Sequence, residues 1–109
     1  RRMIEYGCDV AVASDYNPGS NTIYSIPSVM ALATLYCGLS INEVFKAVTF
    51  NAAKAINRSH LLGMIKKGYI ADMLFWDIET IEEIPYWFNS DRLNSVIKNG
   101  KLVFQNEIN

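Results

Sequence analysis

Histidine is almost missing from this chain, with His60 the one example in 109 residues. A metal site of the usual kind takes three or more protein donors, so an imidazole-built centre has no local source of ligands. Cysteine is scarce too: Cys8 and Cys37 are the pair present. They show neither C-x-x-C nor Cys/His spacing, which excludes a zinc knuckle and a redox pair. Both stand in apolar surroundings, where buried free thiols without a disulfide are expected. No apolar run approaches the ~18 residues that cross a bilayer, and no charged-then-apolar leader opens the sequence. Charge of one sign is also lacking. Ten Lys and Arg stand against eleven Asp and Glu, for a net charge of -1, and the longest basic run is Lys66-Lys67. Neither a nucleic-acid partner nor a membrane is indicated, and a cytoplasmic setting is expected.

What is there is ordinary globular material, half of it hydrophobic. "RRMIEYG" puts Met3 and Ile4 on a helical pattern closed by Gly7, yet no capping residue precedes it and no Met stands first. The chain is therefore expected to start inside a helix and to be a piece of a longer protein. Next comes a short apolar strand, Cys8 to Ser14, ended by Asn17-Pro18-Gly19. Helix, glycine, buried strand and loop are the rhythm of a parallel α/β fold, whose sites form at the C-terminal ends of the strands.

The next helix runs from a cap at Ser25, with Pro27 in its first turn, to Gly38. It is apolar nearly all round, which predicts cover by other elements. Ser40 and Glu43 form a capping box ahead of Val44, Phe45 and Val48. Asn51 reads as the cap of a third short helix, "NAAKAIN". Beyond Asn57 to Gly63 the character changes. Met73 to Trp76 reads as a strand, and "NSVIKNGKLVF" as a hairpin turning at Asn99-Gly100. Between them, "IETIEEIPYWFNSDRL" reads as an irregular connection broken at Pro85 and Asn89. Trp76, Tyr86, Trp87 and Phe88 are expected to pack, and Glu79, Glu82 and Glu83 to lie in solvent.

Asp15 carries the chemical question. A carboxylate at the exit of a buried strand can bond the N–H groups of the following turn. It can equally bind a metal and take a proton from the water that the metal acidifies. Asn17 and Ser20 are open to the same turn-forming reading.

"SDYNPGS", Ser14 to Ser20, resembles the D-x-N-P-G-[ST] loop after the last barrel strand in the imidazolonepropionase family of the amidohydrolase superfamily. "SIPSVMALATLYCGLSINEVFKAVTFNAAKAIN" is similar to that family's late helices, and "GMIKKGYIADMLFWD" resembles a segment shared across the superfamily. "EIPYWF" and "SVIKNGKLVF" resemble its closing β-strands. The resemblance implies an α/β chain: residues 1–58 as the last strand and following helices of a (β/α)8 barrel, residues 59–109 as strands of a small composite β-sandwich domain. It implies that Asp15 is both ligand of one divalent metal, zinc or iron, and proton acceptor. Asn17, Gly19 and Ser20 would contact the substrate.

The reaction implied is hydrolysis of the ring C–N bond of 4-imidazolone-5-propanoate to N-formimidoyl-L-glutamate, in histidine breakdown. The remaining ligands would lie outside this chain, since a whole barrel takes about 250 residues. The piece alone is expected to be inactive and to self-associate through uncovered apolar faces, the parent being a homodimer. Two rivals remain: another amidohydrolase, such as a deaminase or cyclic-amide hydrolase, and a non-catalytic α+β interaction domain in which Asp15 caps a turn.

Overall fold

Local signals set both ends of the longest helix and the start of the one after it. In the computed structural model, which describes residues 1–107, α1 covers Arg2–Glu5 and α2 covers Ile26–Cys37. Residues 108 and 109, the end of the span assigned to the second unit, lie outside the described residues. Ser25 is the N-cap of α2, a proline sits in its first turn, and Gly38 closes it in the left-handed conformation. Helices α3 (Ile41–Val48) and α4 (Phe50–Ala55) follow, separated by a break at Thr49.

Both halves of the capping box are made. The Glu43 N–H donates to Ser40 Oγ at 3.3 Å, and the Ser40 N–H donates to Glu43 Oε2 at 2.8 Å. The Arg1 guanidinium adds a two-pronged pair to the same carboxylate at 2.8 and 2.9 Å. Arg1, then the Ser40 backbone N–H, hold the Glu43 carboxyl down from 4.5 to about 2. A carboxyl whose folded pKa is depressed binds fewer protons folded than unfolded, so its contribution is full above pH 4.5 and disappears as pH falls through about 2. Melting temperatures taken between pH 5 and pH 2 should fall, and Glu43→Gln should flatten that fall. An unchanged slope in the variant would contradict the assignment.

The core gathers where α2, α3 and a later helix meet. Met30, Ala33, Leu39, Val44, Ala47 and Ile84 are buried together, Val44 completely. Val12, Phe45, Val48 and Trp76 pack around them. Ile84 belongs to α5 (Glu83–Tyr86), which packs on α2. The connection read as irregular, and by resemblance as closing strand, therefore holds a short helix instead. Pro85 stands in its first turn, where no intrahelical N–H is needed, so it does not break it.

The three strands are β1 (Met73–Trp76), β2 (Leu93–Lys98) and β3 (Lys101–Gln105) in an antiparallel sheet of that order. Met73 faces Ile97 and Leu74 faces Val96, while Lys98 pairs with Lys101 across the turn. Asn99 and Gly100 have φ of 50° and 76°, the pair of positive angles a type I′ turn demands. Asp72 steadies it, accepting the Asn99 N–H at 2.8 Å and pairing with Lys98.

Four expectations need correction. Cys8 to Ser14 forms no strand and joins no sheet among the described residues, because a parallel ladder needs a neighbouring strand and the three strands of this chain pair with one another. Cys8 and Cys37, expected inside, are free and exposed; an apolar local sequence does not bury a side chain unless another element covers it. Asn51 does not cap a helix but lies within α4, buried. Of the aromatic group, Trp76 packs on the core as expected, but Tyr86 and Phe88 are uncovered, 71% and 48% exposed.

The outer face of α2 is bare in this chain: Leu35 is 74% and Tyr36 81% exposed. Ile65, Leu102 and Val103 are exposed as well, and large apolar side chains left in water favour association. Light scattering on the 109-residue chain should therefore report oligomers that grow with concentration. A concentration-independent monomer would count against that expectation.

Candidate functional site

The loop from Ser14 to Asn21 is organised by two asparagines. Asn17 Oδ1 accepts the backbone N–H groups of Gly19 and Ser20 at 2.9 and 2.8 Å, and the Ser20 hydroxyl at 3.3 Å. Its Nδ2 donates to the Asp15 carbonyl at 2.8 Å. This is turn chemistry of the kind Asn performs well. Asn21 closes the loop from the far side: its Nδ2 donates to the Ser14 carbonyl, its Oδ1 accepts the Ile23 N–H, and its carbonyl accepts the Asn17 N–H at 2.8 Å. Sequence reasoning did not single out Asn21. The signal available was a second Asn four residues after Asn17, at the end of the turn.

Asp15 behaves differently. Its backbone takes φ of 50°, left-handed for a residue with a side chain. Its side chain is exposed, and among the described residues no donor bonds the carboxylate. Asn17, not Asp15, wires the turn. Gly19 and Ser20 are exposed beside it, and Asn17 is half-buried. The four residues singled out are thus neighbours on one loop, with Asp15 supplying the one charge among them.

Upstream, the segment leading to Asp15 is tied to the α3–α4 elbow. The Val12 N–H donates to the Ala47 carbonyl at 3.1 Å, and Asn51 Nδ2 donates to the Val10 carbonyl at 2.8 Å. Asp9 pairs with Lys46 and Lys54, which hold its carboxyl below the usual range, Lys54 foremost.

An apolar cleft of about 1010 Å³ opens alongside, lined by Ala11, Val12, Phe45, Val48, Phe75 and Trp76 among others. Asp15 is not among its lining residues. His60 is exposed between α4 and the sheet. Arg92 stacks over the Trp87 ring, 4.7 Å from its centroid. Among the described residues no three His, Cys, Asp or Glu side chains converge on a point that could hold a metal. Asp15 fits as one oxygen ligand of a set and does not form the set.

Comparisons with known proteins agree with one another. The imidazolonepropionase of Kosmotoga olearia is 46% identical over 104 residues, covering 95% of this chain and 26% of its own length. That of Alkaliphilus oremlandii is 43% identical over 105 residues, covering 96% of this chain and 25% of its own length. The chain thus spans about a quarter of the length of the curated relatives it matches. Among solved structures, an amidohydrolase from Thermotoga maritima superposes with a TM-score of 0.62 at 26% identity, over 74% of this chain and 19% of that one. E. coli guanine deaminase superposes with a TM-score of 0.75 over 97% of this chain and 29% of its own. At 17% identity the second likeness concerns the fold alone. With residues 1–103 also matching the family described as "Amidohydrolase family", this mixed helix-and-strand chain belongs to the amidohydrolase family.

Proposed function

We propose that this chain is the C-terminal part of a metal-dependent hydrolase that opens the ring of 4-imidazolone-5-propanoate to N-formimidoyl-L-glutamate. The observation that carries the reading is the division of labour in the Ser14–Ser20 loop. Asn17 makes the turn bonds that an Asp in this place would be needed for if it were structural. Asp15 meanwhile holds a left-handed backbone, a strain of order 1 kcal/mol, and while its carbonyl accepts Asn17 Nδ2 its carboxylate takes no part in the turn. A charged side chain that the turn does not use is free to act elsewhere. The identities of 46% and 43% with enzymes named imidazolonepropionase support this choice of substrate.

In this reading Asp15 is one ligand of a divalent ion, zinc or iron, whose other ligands come from outside residues 1–107. Such an ion makes water acidic and polarises a carbonyl. Asp15 accepts a proton during ring opening and gives it up to the departing nitrogen. Asn17, Gly19 and Ser20 face the substrate across the exposed side of the loop, Gly19 permitting close backbone approach. Residues 1–58 belong to a (β/α)8 barrel completed by the remaining polypeptide. Strands β1 to β3 belong to a composite β-sandwich.

The test is turnover. The full-length protein, given 4-imidazolone-5-propanoate, should release N-formimidoyl-L-glutamate. Release of ammonia from a purine, or opening of a different cyclic amide without action on this substrate, would assign it to another amidohydrolase activity.

A further inference from the structure

We infer that Asn51 is a positioning residue for Asp15, acting by clamping the backbone of the segment that leads to it. This rests on the role proposed for Asp15. Asn51 is 7% exposed, within "FNAAKA", and is followed by alanines and a lysine. Its Oδ1 is buried with no hydrogen-bond partner, a cost that an alanine like its neighbours would avoid. What the side chain does make is a single bond at 2.8 Å to the Val10 carbonyl, 41 residues earlier.

That bond does not stand alone. Thr49 breaks the helix with φ -116° and ψ -91°, and the Ala47 carbonyl, two residues before the break, takes the Val12 N–H at 3.1 Å. Val10 and Val12 are both gripped by the same helix elbow. Asp9, paired with Lys46 and Lys54, ties the same stretch to the same two helices. Asp15 follows the clamp by three residues, so the register that Asn51 fixes at Val10 sets where the carboxylate emerges. Outer groups that orient a ligand in this manner are commonly worth tenfold to a hundredfold in activity when removed.

The test uses the full-length protein with Asn51→Ala, and Asn51→Gln in its place if the alanine variant does not fold. Gln keeps the carboxamide but moves the donor off Val10. Hydrogen exchange in peptides spanning Val10 to Ser14 should accelerate at least tenfold while α2 stays protected, and kcat should fall tenfold to a hundredfold with KM changed less than about twofold. Wild-type protection at Val10 to Ser14 would overturn the clamp, and lost protection with wild-type kcat would overturn the positioning role. Asp15→Ala run in parallel separates the two levels. If it retains full activity, the role proposed for Asp15 fails whatever Asn51 does.

Discussion

Replacing Asp15 by alanine in the full-length protein should lower kcat by about 10²- to 10⁴-fold, the range that a proton-transferring group contributes. Folding should hardly change, because the side chain is exposed and bonds no neighbour in its loop. Melting temperature should fall slightly, because alanine disfavours the left-handed angle of 50° that Asp tolerates. Asp15→Asn separates charge from shape: it keeps the volume and the backbone preference but cannot accept a proton, and should lose activity to a similar degree. If Asp15→Asn remained as active as the wild type, proton acceptance by this residue would be wrong. If both variants unfolded instead, the turn-capping account would regain its force.

The largest stability effect should come from a methyl group. Gly63 sits at φ 93°, and a Cβ there would lie 2.9 Å from the Phe50 Cα, 3.0 Å from the Ala53 Cβ and 3.0 Å from the Thr49 carbonyl oxygen. Two of these are backbone atoms of the α3–α4 elbow and cannot swing away. Left-handed strain costs about 1–2 kcal/mol and forced overpacking about 1–3 kcal/mol, so Gly63→Ala should destabilise by about 2–5 kcal/mol. Gly68 is the matched control: its φ is 90°, yet a Cβ would meet nothing within 4 Å. Gly68→Ala should therefore show the strain alone, about 1–2 kcal/mol. Urea denaturation of both variants measures the difference, and equal midpoints would show that the elbow yields at little cost. The elbow is also what grips Val10 and Val12, so Gly63→Ala should loosen that segment as well.

Features with short-range causes were readable from the sequence. Ser40 and Glu43 stand three residues apart and find each other in any helix that begins there. Asn99-Gly100 dictates a turn through its own backbone angles. Gly38 ends α2 for a similarly local reason. Features whose causes lie far along the chain were not readable. Asn51 has a cap-forming side chain, but its partner is Val10, 41 residues away, and long-range bonding overrode the local preference. Pro85 suggested a break because its position within a helical turn is invisible until the helix start at Glu83 is known. Cys8 to Ser14 has strand composition without a strand partner among the described residues, so composition alone could not make it a strand.

The site divides in the same way. Position and residue type marked Asp15 and Asn17, because an acid and an Asx-Pro-Gly turn announce themselves. Which of the two builds the turn became clear only from the bonds of Asn17 to Gly19 and Ser20. Asn21 went unnoticed since its work is done on the Ser14 carbonyl, seven residues back.

The decisive measurement is anomalous scattering at the zinc and iron edges from crystals of the full-length protein. A peak about 2.0–2.2 Å from a carboxylate oxygen of Asp15, with further ligands from polypeptide outside residues 1–107, is the predicted result. A metal bound elsewhere, with Asp15 left in solvent, would contradict the assignment of this loop to the reaction.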